Sequence, residues 1–252
     1  MSHTFANYPS LAGKTVFITG GAGGIGAETV RAFAEQGAKV GFLDLNADAG
    51  LAWLAELDGE HAFAQCDLRD IDEMNAAIGQ LVEELGDADV LVNNAARDDR
   101  HDWREVTPDY WDERMATNIR HMFFAIQSVA PGMIAKGAGS IINIGSNSWW
   151  EAGAGFPAYA TAKAAVHGLT RTMARELGDH RIRVNTVVPG WIMTQRQKDL
   201  WVTPEALAKQ VDRQCLPDPI EPVYVARMVL FLASDDAAMC SAGNFMVEGG
   251  SI

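Results

Sequence analysis

Short apolar runs alternate along this chain with longer stretches whose apolar positions recur every three or four residues. Thr15-Val16-Phe17-Ile18 is the first short run, and its β-branched content predicts a strand. Similar runs predict strands at Val40–Leu43, Ala62–Cys66, Val90–Val92, Ser140–Ile144, Arg183–Val187 and Phe245–Val247. Helical spacing predicts helices over Ile25–Gln36, Ile71–Leu85 and Ala158–Leu177, with Asn118 in a further helical stretch upstream of the last. Strand–helix alternation of this kind means an α/β fold. Right-handed crossovers then wind helices onto both faces of one parallel sheet. No internal repeat and no low-complexity segment interrupts the pattern, so residues 1–252 are expected to form a single domain. The one irregular stretch, 190–222, contains Pro204, Pro217, Pro219 and Pro222 around a predicted helix from Pro204 to Gln214. A long insertion at a strand's carboxyl end predicts a substrate lid.

Composition narrows the partners. The formal net charge of the 252 residues is -13, a field that repels nucleic acid and anionic lipid. No apolar run approaches the roughly 20 residues that span a bilayer. Met1 to Ser10 is polar, without the basic-then-apolar pattern of a signal peptide, and the expected location is cytoplasmic. Cys66, Cys215 and Cys240 lie far apart, without metal-ligand spacing or a disulfide framework. They are expected to be buried, reduced thiols, and no metal site is expected.

The first chemistry appears after the first strand. Thr19-Gly20-Gly21-Ala22-Gly23-Gly24-Ile25-Gly26 leads from a strand into a helix. Glycines there let the backbone turn tightly and approach a pyrophosphate, which then meets the helix N-terminus. This is the dinucleotide-binding turn of a Rossmann fold, with Gly20, Gly24, Ile25 and Gly26 against the phosphates. Asp44 ends the second strand, 18 residues beyond Gly26. Its carboxylate can accept hydrogen bonds from both hydroxyls of the adenosine ribose and would repel a 2′-phosphate. Leu43, Leu45 and Asn46 supply no cation to hold that phosphate, so the residues predict NAD over NADP.

A second constellation lies in the helix that begins near Ala158. Tyr159 and Lys163 are four residues apart and so share one helical face. A phenol is a poor base near neutrality, and a neighbouring ammonium favours its ionised form. Ser146 follows the fifth strand. Together, the glycine turn at Thr19, Gly20, Gly24 and Gly26 and the set Asn118, Ser146, Tyr159 and Lys163 resemble the short-chain dehydrogenase/reductase superfamily. The resemblance covers essentially the whole chain.

The resemblance implies a mechanism and further contacts. Tyr159 would remove the proton of a substrate hydroxyl while Ser146 hydrogen-bonds the same oxygen. Lys163 would lower the Tyr159 pKa and hold the nicotinamide ribose, and Asn118 would hold a water leading to Lys163. Asp67 and Leu68 would contact adenine, and Asn94 would lie near the cofactor ribose. Ala96 stands where the family usually has glycine. Pro189, Ile192 and Thr194 would hold the nicotinamide carboxamide. The family also implies a homotetramer.

Residues expected around the substrate mix indoles with polar groups: Arg97, Ser146, Ser148, Trp150, Tyr159, Trp191 and Arg196. Sugars suit such a lining, because their C–H faces pack on indoles and their hydroxyls need donors and acceptors. The phrases at residues 93–101, 145–149 and 196–201 resemble a subgroup of sugar dehydrogenases that oxidise D-xylose, L-arabinose, L-fucose, D-galactose or related aldoses at C1. His101 has no proton-transfer task in this scheme. Three alternatives stand beside it. Arg97, Arg100 or Arg196 could hold the carboxylate of a sugar acid such as a 2-keto-3-deoxy acid. A 3-oxoacyl-type ketoreductase would share the same catalytic residues. A non-catalytic dinucleotide sensor would share the fold.

Overall fold

Successive side chains of the first strand, β1 (Thr15–Thr19), leave the sheet in opposite directions, and both directions are buried. The computed structural model, which describes residues 4–252, places Val16 and Ile18 in one core and Phe17 in another. The remaining strands are β2 (Lys39–Asp44), β3 (His61–Gln65), β4 (Val90–Asn93), β5 (Gly139–Ile144), β6 (Ile182–Pro189) and β7 (Asn244–Val247). They form one seven-stranded sheet in the order β3-β2-β1-β4-β5-β6-β7. Every pairing is parallel. A sheet covered on both faces explains why the central strands read as continuous apolar runs rather than alternating ones.

The helices are α1 (Gly24–Glu35), α2 (Ala47–Leu54), α3 (Ile71–Leu85), α4 (Pro108–Met115), α5 (His121–Lys136), α6 (Pro157–Leu177), α7 (Gln195–Leu200), α8 (Pro204–Arg213) and α9 (Pro222–Ala233). One core packs β1, β2 and β4 residues against Val30 and Phe33 of α1 and Val225 and Val229 of α9. The other packs Phe17, Leu43 and Leu91 against Met74, Ile78 and Leu81 of α3 and Ile126 and Val129 of α5. Helices α2, α7 and α9 lay outside the sequence pattern. Helix α9 is apolar on nearly every side, which erases the periodicity that marks an amphipathic helix. Helix α7 has only six residues, all but one polar.

Topology then positions the site. Strand β1 pairs with β2 on one side and β4 on the other, so the chain reverses direction across the sheet there. Crevices form beyond the carboxyl ends of strands at such a switch point. The 190–222 segment carries α7 and α8 over this end, tied down by a parallel bridge between Ile192 and Ile220. One expectation is corrected: Cys66 is buried, but Cys215 is exposed and Cys240 half-buried. Cys215 falls in the surface turn that leaves α8, where its amide bonds to the Gly249 carbonyl and the residue stays exposed. Among the described residues, no helix is long and apolar enough to cross a membrane.

Candidate active site

A cavity of about 900 Å3 opens at the carboxyl end of the sheet. Gly20, Gly24, Ile25, Asp44, Asp67, Leu68 and Asn94 line one end. Ser146, Ser148, Tyr159 and Lys163 line the other, with Pro189, Trp191, Ile192, Thr194, Arg196 and Arg97 between and above. Residues scattered from position 20 to position 213 therefore meet in one space.

The nucleotide end is shaped by the backbone. Gly20 and Gly24 have φ of 69° and 55°, a region that side chains other than glycine resist. A Cβ at Gly26 would fall 1.9 Å from the Gly20 carbonyl oxygen, so the turn closes only on a glycine. Asn94 Nδ2 donates to the Thr19 and Gly20 carbonyls at 3.0 Å each and braces the turn. Helix α1 begins at Gly23 with no side-chain cap, whereas Asn46, Asp70 and Thr107 cap α2, α3 and α4. Its first N–H groups therefore remain available to an anion in the cavity. Asp44 accepts from the Ala22 and Asn46 amides at 3.0 Å each, which fixes its carboxylate at the cavity edge. The cation on this wall, Arg69, is held by Asp67 at 2.6 Å and Glu113 at 3.0 Å. That pairing holds the Asp67 carboxyl below its usual range. The residues present fit a dinucleotide: a glycine turn, an uncapped helix start and a ribose-side carboxylate.

At the other end, Tyr159 and Lys163 project from the first turns of α6. Lys163 Nζ lies 5.7 Å from the centre of the Tyr159 ring and donates to the Ile144 carbonyl at 2.7 Å. Burial pushes the phenol above its ordinary range, and Asp98 adds to the rise, while Ser146 and Arg100 partly offset it. Burial also drives the Lys163 ammonium down, to about 7. The net shift at Tyr159 is thus upward, set by burial rather than by Lys163. The enclosure that brings the two groups together disfavours charge on both.

Ser146 Oγ accepts from the Ser148 amide at 3.1 Å. Ser148 also lines the cavity, and its buried Oγ has no hydrogen-bond partner. Asn118 sits in a five-residue π-helical turn, Ala116–Arg120, between α4 and α5. Such turns recur at functional sites. Its Oδ1 accepts from the Arg97 amide at 2.8 Å and its Nδ2 donates to the Arg114 carbonyl at 2.9 Å. It supports the cavity wall and does not line it. Trp150 is not brought into the cavity either. It stacks on Trp149 at 4.0 Å and lines a separate hollow with Met246, Glu248 and Ile252. His101 binds the Tyr110 hydroxyl at 3.0 Å, a structural contact.

Several residues that close the site have partners far away in sequence. Arg196 reaches Asp99 at 2.6 Å, and Asp99 also holds Arg114 at 2.5 Å. Gln197 donates to Asp98 at 2.8 Å and accepts from the Trp191 indole at 2.8 Å. Arg100 lies 4.2 Å above the Phe156 ring and 5.4 Å from that of Trp201. The charged run 97–104 was visible, but its matching partners sit nearly a hundred residues later on α7. Gln197 and Gln210 carry no local signal.

Comparison with known proteins agrees with this arrangement. A family described as enoyl-(acyl carrier protein) reductase matches residues 20–251. The chain is 49% identical over 248 residues to a D-xylose 1-dehydrogenase of Caulobacter vibrioides, covering 97% of this chain and 98% of the relative. It is 43% identical over 249 residues to a probable galactose dehydrogenase of Rhizobium meliloti, covering 97% of each. The fold superimposes on a 3-oxoacyl-(acyl-carrier protein) reductase with bound NAD from Brucella melitensis with a TM-score of 0.89 and 31% identity, over 100% of this chain and 98% of that one.

Proposed function

Because this chain belongs to the short-chain dehydrogenase/reductase family, and is an oxidoreductase acting on CH–OH groups, we propose that it oxidises the C1 hydroxyl of a cyclic aldose to the aldonolactone with NAD. The observation that carries the substrate reading is the state of the arginines. Arg97 and Arg196 both pair with Asp99, at 3.5 Å and 2.6 Å, and so have little to offer a substrate carboxylate. Arg100 lies against the Phe156 and Trp201 rings, and the reacting end also carries neutral hydrogen-bonding capacity, the unpartnered Ser148 hydroxyl included. That favours a neutral polyhydroxyl substrate over a sugar acid. The Caulobacter and Rhizobium relatives, named for xylose and galactose, support the same class.

Within this reading each residue has a task. Tyr159 takes the proton from the C1 hydroxyl, and Ser146 holds the same oxygen as charge develops on it. A charged Lys163 beside the phenol favours its ionised form, and in this reading its Nζ also binds a ribose hydroxyl. Oxidised nicotinamide, when bound, supplies the hydride acceptor and a positive charge. Gly20, Gly24, Ile25 and Gly26 shape the pyrophosphate site, with Asp44 on the adenosine ribose, Asp67 and Leu68 against adenine, and Asn94 bracing the turn. Pro189, Ile192 and Thr194 flank the carboxamide, and Trp191 with Arg196 closes the lid over 190–222. Asp44 and the fully engaged Arg69 leave a 2′-phosphate no free cation, which favours NAD.

Exposed Trp111, Phe123 and Ile134 lie along α4 and α5, and this apolar surface supports assembly as a homotetramer built on two-fold axes. A panel of D-xylose, L-arabinose, L-fucose and D-galactose, with 2-keto-3-deoxy acids and β-ketoesters alongside, tests the whole reading by NADH and NADPH absorbance. Aldose oxidation with NAD ahead of NADP is expected. Turnover confined to the acids or ketoesters would overturn it.

A further inference from the structure

Two polar atoms at the cavity wall have no hydrogen-bond partner, and they have opposite hydrogen-bonding character. Asp98 lines the cavity, and its Oδ2 accepts the 2.8 Å hydrogen bond from Gln197 Nε2. Its Oδ1 has Arg196 Nη2 at 3.6 Å, beyond hydrogen-bond reach. Gln210 of α8 also lines the cavity, and its buried Nε2 has no partner among the described residues. A buried amide nitrogen without an acceptor is destabilising until something supplies one. The wall thus offers an open acceptor and an open donor. A hydroxyl both donates and accepts, so a substrate with several hydroxyls can satisfy both atoms. A simple apolar alcohol would leave both unmet, and a second carboxylate would be repelled by Asp98.

We infer that Asp98 and Gln210 are specificity-determining residues that read substrate hydroxyls away from the reacting carbon, Asp98 Oδ1 accepting and Gln210 Nε2 donating. The inference rests on the aldose reading above and names the residues that select a neutral sugar over an anionic one. Asp98 also acts at a distance on the chemistry. Its charge raises the pKa of both Tyr159 and Lys163. The other charged groups facing this centre are Arg100, which opposes Asp98 at Tyr159, and Arg196, which approaches Asp98 from α7. His121 on α5 faces Lys163 and is driven down to about 4 by burial and by that lysine, so it is neutral through the working range. Removing the Asp98 charge therefore lowers the Tyr159 pKa. Oxidation requires the ionised phenol, so the acid limb of the kcat/KM profile moves to lower pH.

The test compares Asp98→Asn, Gln210→Leu and Gln197→Ala with the unaltered enzyme. Substrates are D-xylose, D-galactose, their monodeoxy derivatives, and D-galacturonate as the anionic counterpart of galactose. Asp98→Asn is expected to raise the aldose KM about tenfold or more, with a much smaller change in kcat. It should also narrow the preference for galactose over galacturonate, shift the acid limb downward, and abolish the penalty for one monodeoxy position. Gln210→Leu is expected to raise KM by roughly threefold to tenfold with the pH profile unmoved. Gln197→Ala, which keeps the carboxylate, should leave the acid limb in place. Asp98→Ser serves the same readouts should Asp98→Asn fail to fold. Unaltered KM, galacturonate discrimination and pH profile in the Asp98 variant would overturn the inference, as would a Gln197→Ala enzyme that reproduces the full Asp98 effect. An unaltered enzyme that oxidises no aldose would instead sink the functional reading.

Discussion

Lys163 carries an amino group into a site where it is 1% exposed, with a single carbonyl to receive its hydrogen bond. Its ordinary pKa of 10.5 falls to about 7 on folding. Between those values the unfolded chain holds a proton that the folded chain has shed, so stability declines as pH falls from the upper value toward the lower and then levels. Lys163→Met is therefore expected to raise Tm near neutral pH by roughly 5 °C, as measured by calorimetry, while kcat/KM collapses. A fall in Tm would show that the hydrogen bond to Ile144 outweighs the burial cost. Tyr159→Phe is expected to keep nucleotide affinity, measured by fluorescence quenching, and to lose about a hundredfold or more in kcat. Near-normal turnover in that variant would remove Tyr159 from the proton transfer. At this scale the sequence was informative about identity and silent about environment. The four-residue spacing put Tyr159 and Lys163 on one face, because helical periodicity is local. The direction of their pKa shifts depends on enclosure by β5, the 97–100 loop and α6, which no local pattern reports.

Among the elements, α7 is held by side chains rather than by a core of its own, since none of its residues is fully buried. Asp99 is the hub, pairing with Arg196 of α7, Arg114 of α4 and Arg97 of its own loop. Arg114 is nearly enclosed and keeps Glu113 as its other partner. Asp99→Ala is expected to lower Tm by roughly 5 °C and to speed proteolysis within 195–213. Equal cleavage rates in the two proteins would show that α7 does not depend on this contact. Helices α1, α3 and α6 were legible because each buries one face and exposes the other, and α8 because its half-buried positions Ala206, Leu207, Gln210 and Val211 recur with helical spacing. Helix α9 was not, being apolar nearly all round, and α7 was not, being short and polar. Trp150 shows the complementary error: an indole four residues after Ser146 in sequence turned instead onto Trp149 and the C-terminal hollow, because the chain bends sharply at Asn147–Glu151.

For the whole molecule, the sheet order brings the carboxyl ends of β1, β2, β4, β5 and β6 to one side, and the cavity of about 900 Å3 follows from that convergence. The tetramer proposed above predicts a light-scattering mass near four times the 27.2 kDa chain, and a monomeric mass would contradict it. Assembly is expected to cover Trp111, Phe123 and Ile134, and a negative charge introduced at Phe123 (Phe123→Asp) should dissociate it. The sequence by itself determined the parallel sheet, the glycine turn, the carboxylate at Asp44 and the Ser146, Tyr159 and Lys163 set. Each of these is written in short-range spacing: apolar runs, a turn that only glycine can make, a helical repeat of four. Tertiary structure alone decided that Asp98 and Asp99 face Arg196 and Gln197, that Arg69 is already engaged, and that burial governs the pKa values of Tyr159 and Lys163. Those properties arise when loops from distant strands are folded against one another, and charge and solvation act through space rather than along the chain.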